Sequence, residues 1–176
     1  YGDGGACFTN DDALAEKMRM IANHGQAARY HHTMIGINGR LDTIQAAILI
    51  EKLKHFPAEI EARQTVAAEY ARCLSDQIQL PMIKNHNVSA YAQYTIQVSD
   101  RDNVREALSA QGIPMAVHYP KGLHQQPATK VDENTSYPET ELAAARVMSL
   151  PFYPGMPQET IEKVAAAIHQ IVRVAV

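Results

Sequence analysis

Two adjoining helical patterns, separated by a single proline, constrain the fold of this chain more than any other feature. Leucine and isoleucine recur at helical spacing across residues 41–56, which places them on one face of an α-helix. Pro57 follows at a position that suits the start of a helix, and residues 58–74 are rich in Ala, Glu and Arg and contain few helix breakers. We therefore predict two consecutive helices and a domain boundary between them, dividing the chain into residues 1–56 and 57–176.

The second part alternates strand and helix patterns after residue 76. Residues 91–98 alternate large and polar side chains, as a half-buried strand does. Asp100 is a suitable cap for a helix through residue 110, which Gly112 ends. Similar signals predict strands at 78–82 and 113–119, a loop at 120–137, helices at 138–149 and 158–174, and an extended piece at 150–153. This order predicts an α/β fold in which helices cover a small mixed or antiparallel sheet.

The first part opens on a glycine-rich turn that leads into an apolar stretch. We predict a short strand at residues 5–9, then a helix at 12–21 that is capped by Asn10 or Asp11 and stopped by Gly25. A polar loop with histidines and glycines follows at residues 26–39. One strand and two helices cannot bury both faces of a sheet, so we expect further chain before residue 1.

Composition excludes several classes of protein. The 176 residues carry a formal net charge of −3 with no basic stripe, which argues against a nucleic-acid binder. No apolar run approaches the ~20 residues of a membrane span, and the eight histidines lack the spacing of a metal site. Cys7 and Cys73 stand far apart in apolar settings, which predicts two buried free thiols and a cytoplasmic protein.

Polar residues gather at two places that suit ligand binding. Asn38 and Arg40 precede the helix predicted from residue 41, where a phosphate or a carboxylate would be well placed. From spacing alone, Asn38 is equally well explained as a helix cap and Arg40 as a surface charge. His118 and Tyr119 end a predicted strand beside a proline-rich loop, and His118 is either a ligand contact or a structural histidine.

Four stretches of the sequence resemble the DegT/DnrJ/EryC1/StrS family of pyridoxal-phosphate-dependent nucleotide-sugar aminotransferases. The most specific piece is the block G-x-N-x-R-L-D-x-I-Q-A-A, and the resemblance covers essentially the whole chain. The stretches are "YGDGGACFTNDDALAEKMRMIANHG", "YHHTMIGINGRLDTIQAAILIEKL", "GIPMAVHYPKGLHQQPA" and "SLPFYPGM". The resemblance implies the aspartate-aminotransferase fold, fold type I. Residues 1–56 would be the tail of its large cofactor-binding domain, and 57–176 its small C-terminal α/β domain with the linking helix.

The family also implies roles for particular residues. Its Schiff-base lysine lies just before the glycine-rich turn, so we expect it upstream of residue 1 and expect no catalytic residue in this chain. The resemblance implies that Asn38 contacts the phosphate of pyridoxal 5'-phosphate, and that Arg40 contacts a carboxylate or phosphate of a substrate. It also implies that these residues reach the neighbouring subunit's active site, which requires a homodimer. In the same way it implies substrate contacts at His118 and Tyr119, and at Tyr30 and His31.

The motifs are most similar to the branch that aminates UDP-2-acetamido-2-deoxy-3-oxo-glucuronate. The resemblance implies glutamate as amino donor and a place in bacterial O-antigen and lipopolysaccharide sugar biosynthesis. Three alternatives stay open: an aminotransferase for a 4-keto UDP- or dTDP-sugar, a sugar dehydratase of the same fold whose lysine is replaced by histidine, and a stand-alone nucleotide-binding domain. No metal, nucleic acid or membrane is implied.

Overall fold

The computed structural model describes residues 3–74, 78–129, 132 and 135–174, together with the backbone but not the side chains of residues 173 and 174. It contains two compact units, Tyr1–Phe56 and Pro57–Val176. Of the opening turn, residues 1 and 2 lie outside the described residues. No helix among the described residues combines the length and apolar character needed to cross a membrane.

The first unit is built from two helices and a small hairpin. Helix α1 spans Asp12–Ala22, and the side chain of Asp11 caps it by accepting a hydrogen bond from the Leu14 N–H at 3.0 Å. Strands β1 (Gln26–Ala28) and β2 (His31–His32) pair in antiparallel fashion, and helix α2 spans Thr43–Leu53. The predicted helices are confirmed, although α2 is shorter than the pattern at residues 41–56. The region predicted as a loop contains the hairpin.

The strand predicted at residues 5–9 is wrong. These residues form no regular element and pair with no strand among the described residues, and without a ladder partner an apolar stretch forms no sheet. Cys7 in this segment is exposed and Cys73 is half-buried, although both are free thiols. The expectation of two buried thiols is therefore also wrong.

The first unit buries almost nothing among its described residues, of which Gly25 alone is fully buried. Ile35 is 97% exposed and Phe8 is 93% exposed. The other large exposed apolar side chains of this unit are Leu14, Tyr30, Ile37, Leu41, Ile44, Leu49, Ile50, Leu53 and Phe56. Exposed apolar surface on this scale is typical of a face that packs against another protein surface, from the same polypeptide or from a partner.

The described part of the second unit contains four α-helices around a two-stranded sheet. Its elements are α3 (Phe56–Cys73), β3 (Tyr94–Gln97), α4 (Arg101–Ala110), α5 (Pro138–Arg146), β4 (Val147–Leu150) and α6 (Gln158–Val174), with a 3₁₀ turn at Leu123–Gln125. Strands β3 and β4 are antiparallel, and Thr95 lies opposite Ser149. Single bridges from Gln79 to Gln97 and from Ala116 to Ser149 extend the sheet on both sides. The sheet is antiparallel, one of the two predicted arrangements.

Three predicted elements of this unit differ from the structure. The strands predicted at residues 78–82 and 113–119 reduce to single bridges, and each segment contains a proline, which cannot donate to a ladder. The helix predicted to residue 149 ends at Arg146, because residues 147–150 pair with β3. The buried guanidinium of Arg101 supports this end by donating to the carbonyls of Ala144 and Val147, each at 3.2 Å.

The core of the second unit lies between the sheet and its helices. Tyr94 and Ile96 of β3 are buried, as is Val98 just after the strand. Ile161, Val164 and Ile168 form the buried face of α6. The ring of Tyr70 stacks on that of Tyr94, with centroids 5.1 Å apart, and Phe152 stacks on Tyr94 at 5.4 Å. This packing fixes β4 and the residues after it.

Candidate functional site

The segment that carries Asn38 is held against the end of α1 by backbone hydrogen bonds. The N–H of His24 donates to the Ile37 carbonyl at 2.9 Å, and the Ile37 N–H donates to the Ile21 carbonyl at 2.8 Å. The Gly39 N–H donates to the Ala22 carbonyl, also at 2.8 Å. Because bonds on both sides of residue 38 fix the backbone, the Asn38 side chain starts from a defined position.

Two glycines make this close packing possible. Gly25 has a φ of +70°, and a Cβ there would lie 1.8 Å from the Met34 carbonyl oxygen. A Cβ on Gly36 would lie 2.1 Å from the Gly25 nitrogen. Only glycine fits at either position, because the two backbones touch where a side chain would start.

Asn38 and Arg40 form one polar pair. The Arg40 Nε–H donates to Asn38 Oδ1 at 3.2 Å, and both residues are exposed. Since a guanidinium can only donate, this bond fixes the amide orientation and leaves the Asn38 NH₂ free. The amide N–H bonds and the remaining guanidinium N–H bonds make no other side-chain hydrogen bond among the described residues. Such a donor pair suits a phosphate or a carboxylate.

The structure removes one of the alternatives for Asn38. Helix α2 begins at Thr43, and its N-cap residue is Asp42. Asn38 is therefore not the cap of this helix, and instead forms a backbone bridge with Asn23.

Tyr30 and His31 lie at the tip of the β1–β2 hairpin. Tyr30 is exposed and has a φ of +64°, and the Arg29 guanidinium lies over its ring at 5.0 Å from the centroid. His31 is also exposed, while its neighbour His32 is hydrogen-bonded through Nδ1 to the His24 carbonyl at 2.9 Å. No hydrogen bond or ring contact among the described residues joins Tyr30 or His31 to Asn38.

In the second unit, His118 is held by a buried serine. His118 Nδ1 lies 2.8 Å from Ser149 Oγ, and Ser149 Oγ lies 2.9 Å from Thr95 Oγ1. The backbones of Ala116 and Ser149 exchange two hydrogen bonds, which fix the approach of His118 to β4. His118 Nε2 makes no hydrogen bond among the described residues. The adjacent Tyr119 is 69% exposed, with its ring edge-on to His118 at 5.5 Å.

A cavity of about 440 Å³ opens beside these two residues. His118, Tyr119 and Lys121 border one side, and Thr140 and Ala143 of α5 border the other. Its walls are mainly apolar, with a few polar groups, which is the usual character of a small-molecule site. The cavity gives His118 and Tyr119 a space in which they could meet a ligand.

The loop that borders this cavity is tied to α5 by a histidine–glutamate pair. His124 Nε2 lies 3.0 Å from Glu141 Oε1, which also accepts from the Tyr137 N–H and the Ser136 hydroxyl at 3.0 Å. These bonds, that of His124 first, lower the pKa of the Glu141 carboxyl. The Tyr137 ring covers His124 with centroids 5.0 Å apart.

The sequence analysis identified Asn38 with Arg40 and His118 with Tyr119, but it missed the two hydroxyl groups behind His118. The structure brings Asn38 to Arg40 in the first unit and His118 to Tyr119 in the second. Ser149 and Thr95 were missed because Ser149 was assigned to a helix. The described residues contain no group of three or more His, Cys, Asp or Glu side chains that could hold a metal ion.

Comparison with known proteins identifies the same family as the sequence motifs. A model of the DegT/DnrJ/EryC1/StrS aminotransferase family matches residues 1–169. The UDP-2-acetamido-2-deoxy-3-oxo-D-glucuronate aminotransferase of Pseudomonas aeruginosa is 51% identical over 169 residues, which are 96% of this chain and 47% of the relative. The UDP-N-acetyl-3-dehydro-alpha-D-glucosamine 3-aminotransferase of Acidithiobacillus ferrooxidans is 39% identical over 170 residues, 96% of this chain and 46% of the relative.

The fold comparison agrees. A DegT DnrJ EryC1 StrS aminotransferase from Brucella abortus superposes with a TM-score of 0.86 at 38% identity, covering 94% of this chain and 45% of that one. The predicted fold class, that of fold type I pyridoxal-phosphate-dependent transferases, is confirmed. The chain spans about half the length of the relatives it matches.

Proposed function

Since the chain belongs to the DegT/DnrJ/EryC1/StrS aminotransferase family, we propose that its protein transfers an amino group to a nucleotide-linked keto-sugar. The proposed substrate is UDP-2-acetamido-2-deoxy-3-oxo-glucuronate, with glutamate as the donor, in lipopolysaccharide O-antigen synthesis. The observation that carries this proposal is the 51% identity, across nearly the whole chain, to a relative named for that substrate.

The donors at Asn38 and Arg40 fit the cofactor that the reaction needs. Aminotransferases of this family depend on pyridoxal phosphate, which when bound serves as the electron sink for transamination. The Asn38 NH₂ group, held outward by Arg40, is suited to donate to its phosphate. Asn38 would thus anchor the cofactor without exchanging a proton with the reacting atoms.

The carboxylate of a uronate substrate explains the roles that we propose for Arg40 and His118. Its carboxylate needs a cationic or hydrogen-bonding partner once water is excluded. Arg40 offers a fixed charge, and His118 offers an Nε2 that is free of protein partners beside a cavity. We assign Arg40, His118 and Tyr119 to the sugar, and Tyr30 and His31 to the nucleotide-sugar pocket.

We propose a homodimer whose active sites are shared across the interface. The exposed apolar face of the first unit supports an interface of this kind, because a free surface rarely exposes so many large apolar side chains. We also propose a cytoplasmic location, in keeping with the free thiols of Cys7 and Cys73.

The full-length protein tests the activity directly. Its visible absorption should show bound pyridoxal phosphate, which glutamate should bleach and the keto-uronate restore, with a 3-amino sugar as product. A 4-amino or dehydrated product would replace the proposal with one of its alternatives. A protein that binds no pyridoxal phosphate would refute the proposal.

The role of Arg40 is tested with a matched pair of substrates. Arg40→Ala should raise KM for the uronate about 10- to 100-fold, the loss of one charge-assisted hydrogen bond. The effect should be much smaller for the same UDP-linked 3-keto sugar with CH₂OH in place of the carboxylate. Arg19→Ala removes an exposed arginine of α1 whose ion pair among the described residues is with Glu16, and it serves as control. Equal effects on both substrates would show that Arg40 does not read the carboxylate.

A further inference from the structure

Ser149 is a buried hydroxyl in a strand that otherwise turns apolar side chains inward. It is 5% exposed, between the buried Met148 and Leu150 of β4. A buried hydroxyl is costly unless it is hydrogen-bonded. Its two side-chain partners are Thr95 across the β3–β4 ladder and His118 beyond the other edge of β4. The hydroxyl therefore links the centre of the sheet to the imidazole beside the cavity.

The hydrogen left unpaired decides the direction of this link. If the Thr95 hydroxyl donates to Ser149 Oγ and Ser149 donates to His118 Nδ1, the hydrogen without an acceptor among the described residues is that of Nε2, in a side chain that borders the cavity. In the reverse direction Nδ1–H donates to Ser149, Ser149 donates to Thr95, and the hydrogen without such an acceptor is that of Thr95, which is half-buried between the strands. Both directions satisfy two of the three hydrogens, but water or a ligand in the cavity can accept from Nε2–H, so the first direction costs less and is favoured.

The favoured direction fixes the tautomer of His118. An Nδ1 that accepts a hydrogen bond carries no proton, so in the neutral imidazole the proton is on Nε2. That N–H is left without a protein partner in a residue that borders the cavity of about 440 Å³. The imidazole is therefore prepared to donate to an acceptor oxygen of the ligand, such as a carboxylate, a phosphate or a sugar carbonyl.

We propose that Ser149, supported by Thr95, is a positioning residue that holds neutral His118 as the Nε2–H tautomer for donation to a substrate oxygen. The substrate part of this inference rests on the proposed function, whereas the tautomer does not. When His118 is protonated, both ring nitrogens donate, so Ser149 must turn its hydrogen to Thr95 Oγ1. The Ser149 hydroxyl therefore sets the tautomer of neutral His118. The Thr95 oxygen accepts the Ser149 hydrogen when the imidazole carries a proton on both nitrogens.

The tautomer can be read by ¹⁵N magnetic resonance of the histidine rings in the full-length holoenzyme, with His118→Gln to assign the signals. The wild type should show a proton bonded to Nε2 and none on Nδ1 when His118 is neutral. Ser149→Ala should give a mixture of tautomers, and Ser149→Thr, which keeps the hydroxyl, should restore the wild-type pattern. Ser109→Ala, an exposed serine on α4, is the control.

Thr95→Val tests whether Ser149 acts by donating to the imidazole. It should keep the Nε2–H tautomer of neutral His118, because the Ser149 hydroxyl can still donate to Nδ1 after its own donor is removed. A Thr95→Val protein with the proton on Nδ1 would overturn the inference.

Kinetics with the keto-uronate complete the test. Ser149→Ala should raise KM in inverse proportion to the remaining fraction of the Nε2–H tautomer, about 2-fold for an equal mixture, while Ser149→Thr and Ser109→Ala stay near wild type. An unchanged tautomer in Ser149→Ala overturns the inference, and so does a folded Ser149→Thr that behaves as Ser149→Ala. If the tautomer shifts as expected but the wild type does not aminate the uronate, the proposed function fails and the positioning role stands.

Discussion

Removing one phenolic hydroxyl from the core of the second unit tests how its strand β4 is held. Tyr70 on α3 is fully buried, and its hydroxyl donates to the Pro151 carbonyl at 2.8 Å, just beyond β4. Tyr94 on β3 is equally buried, but its hydroxyl lies 3.4 Å from the Ala67 carbonyl, inside helix α3. Tyr70→Phe and Tyr94→Phe remove the same atom from two rings that stack on each other.

The two substitutions should differ because their acceptors differ. The Pro151 carbonyl is half-buried and has no other hydrogen bond among the described residues, so Tyr70→Phe leaves it without a protein donor, at a cost of ~1 kcal/mol. The Ala67 carbonyl keeps its helical partner, and a 3.4 Å bond is weak, so Tyr94→Phe should cost less than ~0.5 kcal/mol. Both variants keep the ring, so the loss of packing is small in each.

Urea unfolding followed by circular dichroism measures the difference. The chain has no tryptophan, and its tyrosine fluorescence would itself change in these variants. Tyr70→Phe should lower the midpoint at an unchanged m-value, and lower Tm by about 4 °C per kcal/mol. Equal losses in the two variants, or a larger loss in Tyr94→Phe, would refute the assignment of the Tyr70 hydroxyl as a support of β4.

Alkaline unfolding provides an independent check on the same residues. Burial raises the pKa of Tyr70 further than that of Tyr94, which it raises to about 12. A folded-state pKa above the unfolded value near 10 adds stability that is fully present below pH 10 and lost as the pH rises toward 12. Each Phe variant should flatten this alkaline loss, and Tyr70→Phe should do so more. A wild-type stability that is flat from pH 9 to 12 would contradict the burial argument.

Three further changes have defined outcomes. Asn38→Ala should weaken the binding of pyridoxal phosphate by ~1.5–3 kcal/mol, measured by dialysis and absorbance. Asn87→Ala, in an exposed turn, is the control and should bind it as the wild type does. If Asn38→Ala retains the cofactor as well as the wild type, Asn38 is not part of the site. Gly25→Ala should speed amide hydrogen exchange across residues 23–39, since its φ of +70° and the blocked Cβ position leave no room for a methyl group; unchanged protection would contradict this. In the wild type, the Glu141 carboxylate pairs with His124, and the resulting stability is present above pH 4.5 and lost as the pH falls through the lowered pKa of Glu141. Glu141→Gln should remove this contribution when the free energy of unfolding is measured against pH. An unchanged dependence on pH in the acid range would argue against the pair.

The sequence-based predictions were accurate where the stabilising interaction joins residues close in sequence, and inaccurate where it joins distant ones. The Asp11 side chain caps α1 by accepting from the Leu14 N–H three residues away, and Asp100 is the N-cap residue of α4. The starts of these two helices could therefore be predicted from neighbouring residues. Strands depend on a distant partner. Residues 147–149 were predicted as helix, because their pairing with β3, some fifty positions earlier, is not visible in the local sequence.

Distance along the chain also distinguishes the candidate site residues that were identified from the sequence from those that were not. Asn38 and Arg40 bond to each other two positions apart, and a short motif contains both. Ser149 acts on His118 from 31 positions away, and Glu141 meets His124 from 17, so no window of sequence joins either pair. Such partners are fixed only by the register of β4 and by the packing of α5 against its loop. The residues that we propose to contact a ligand can therefore be identified from a motif, whereas the residues that we propose to orient them become visible only in the fold.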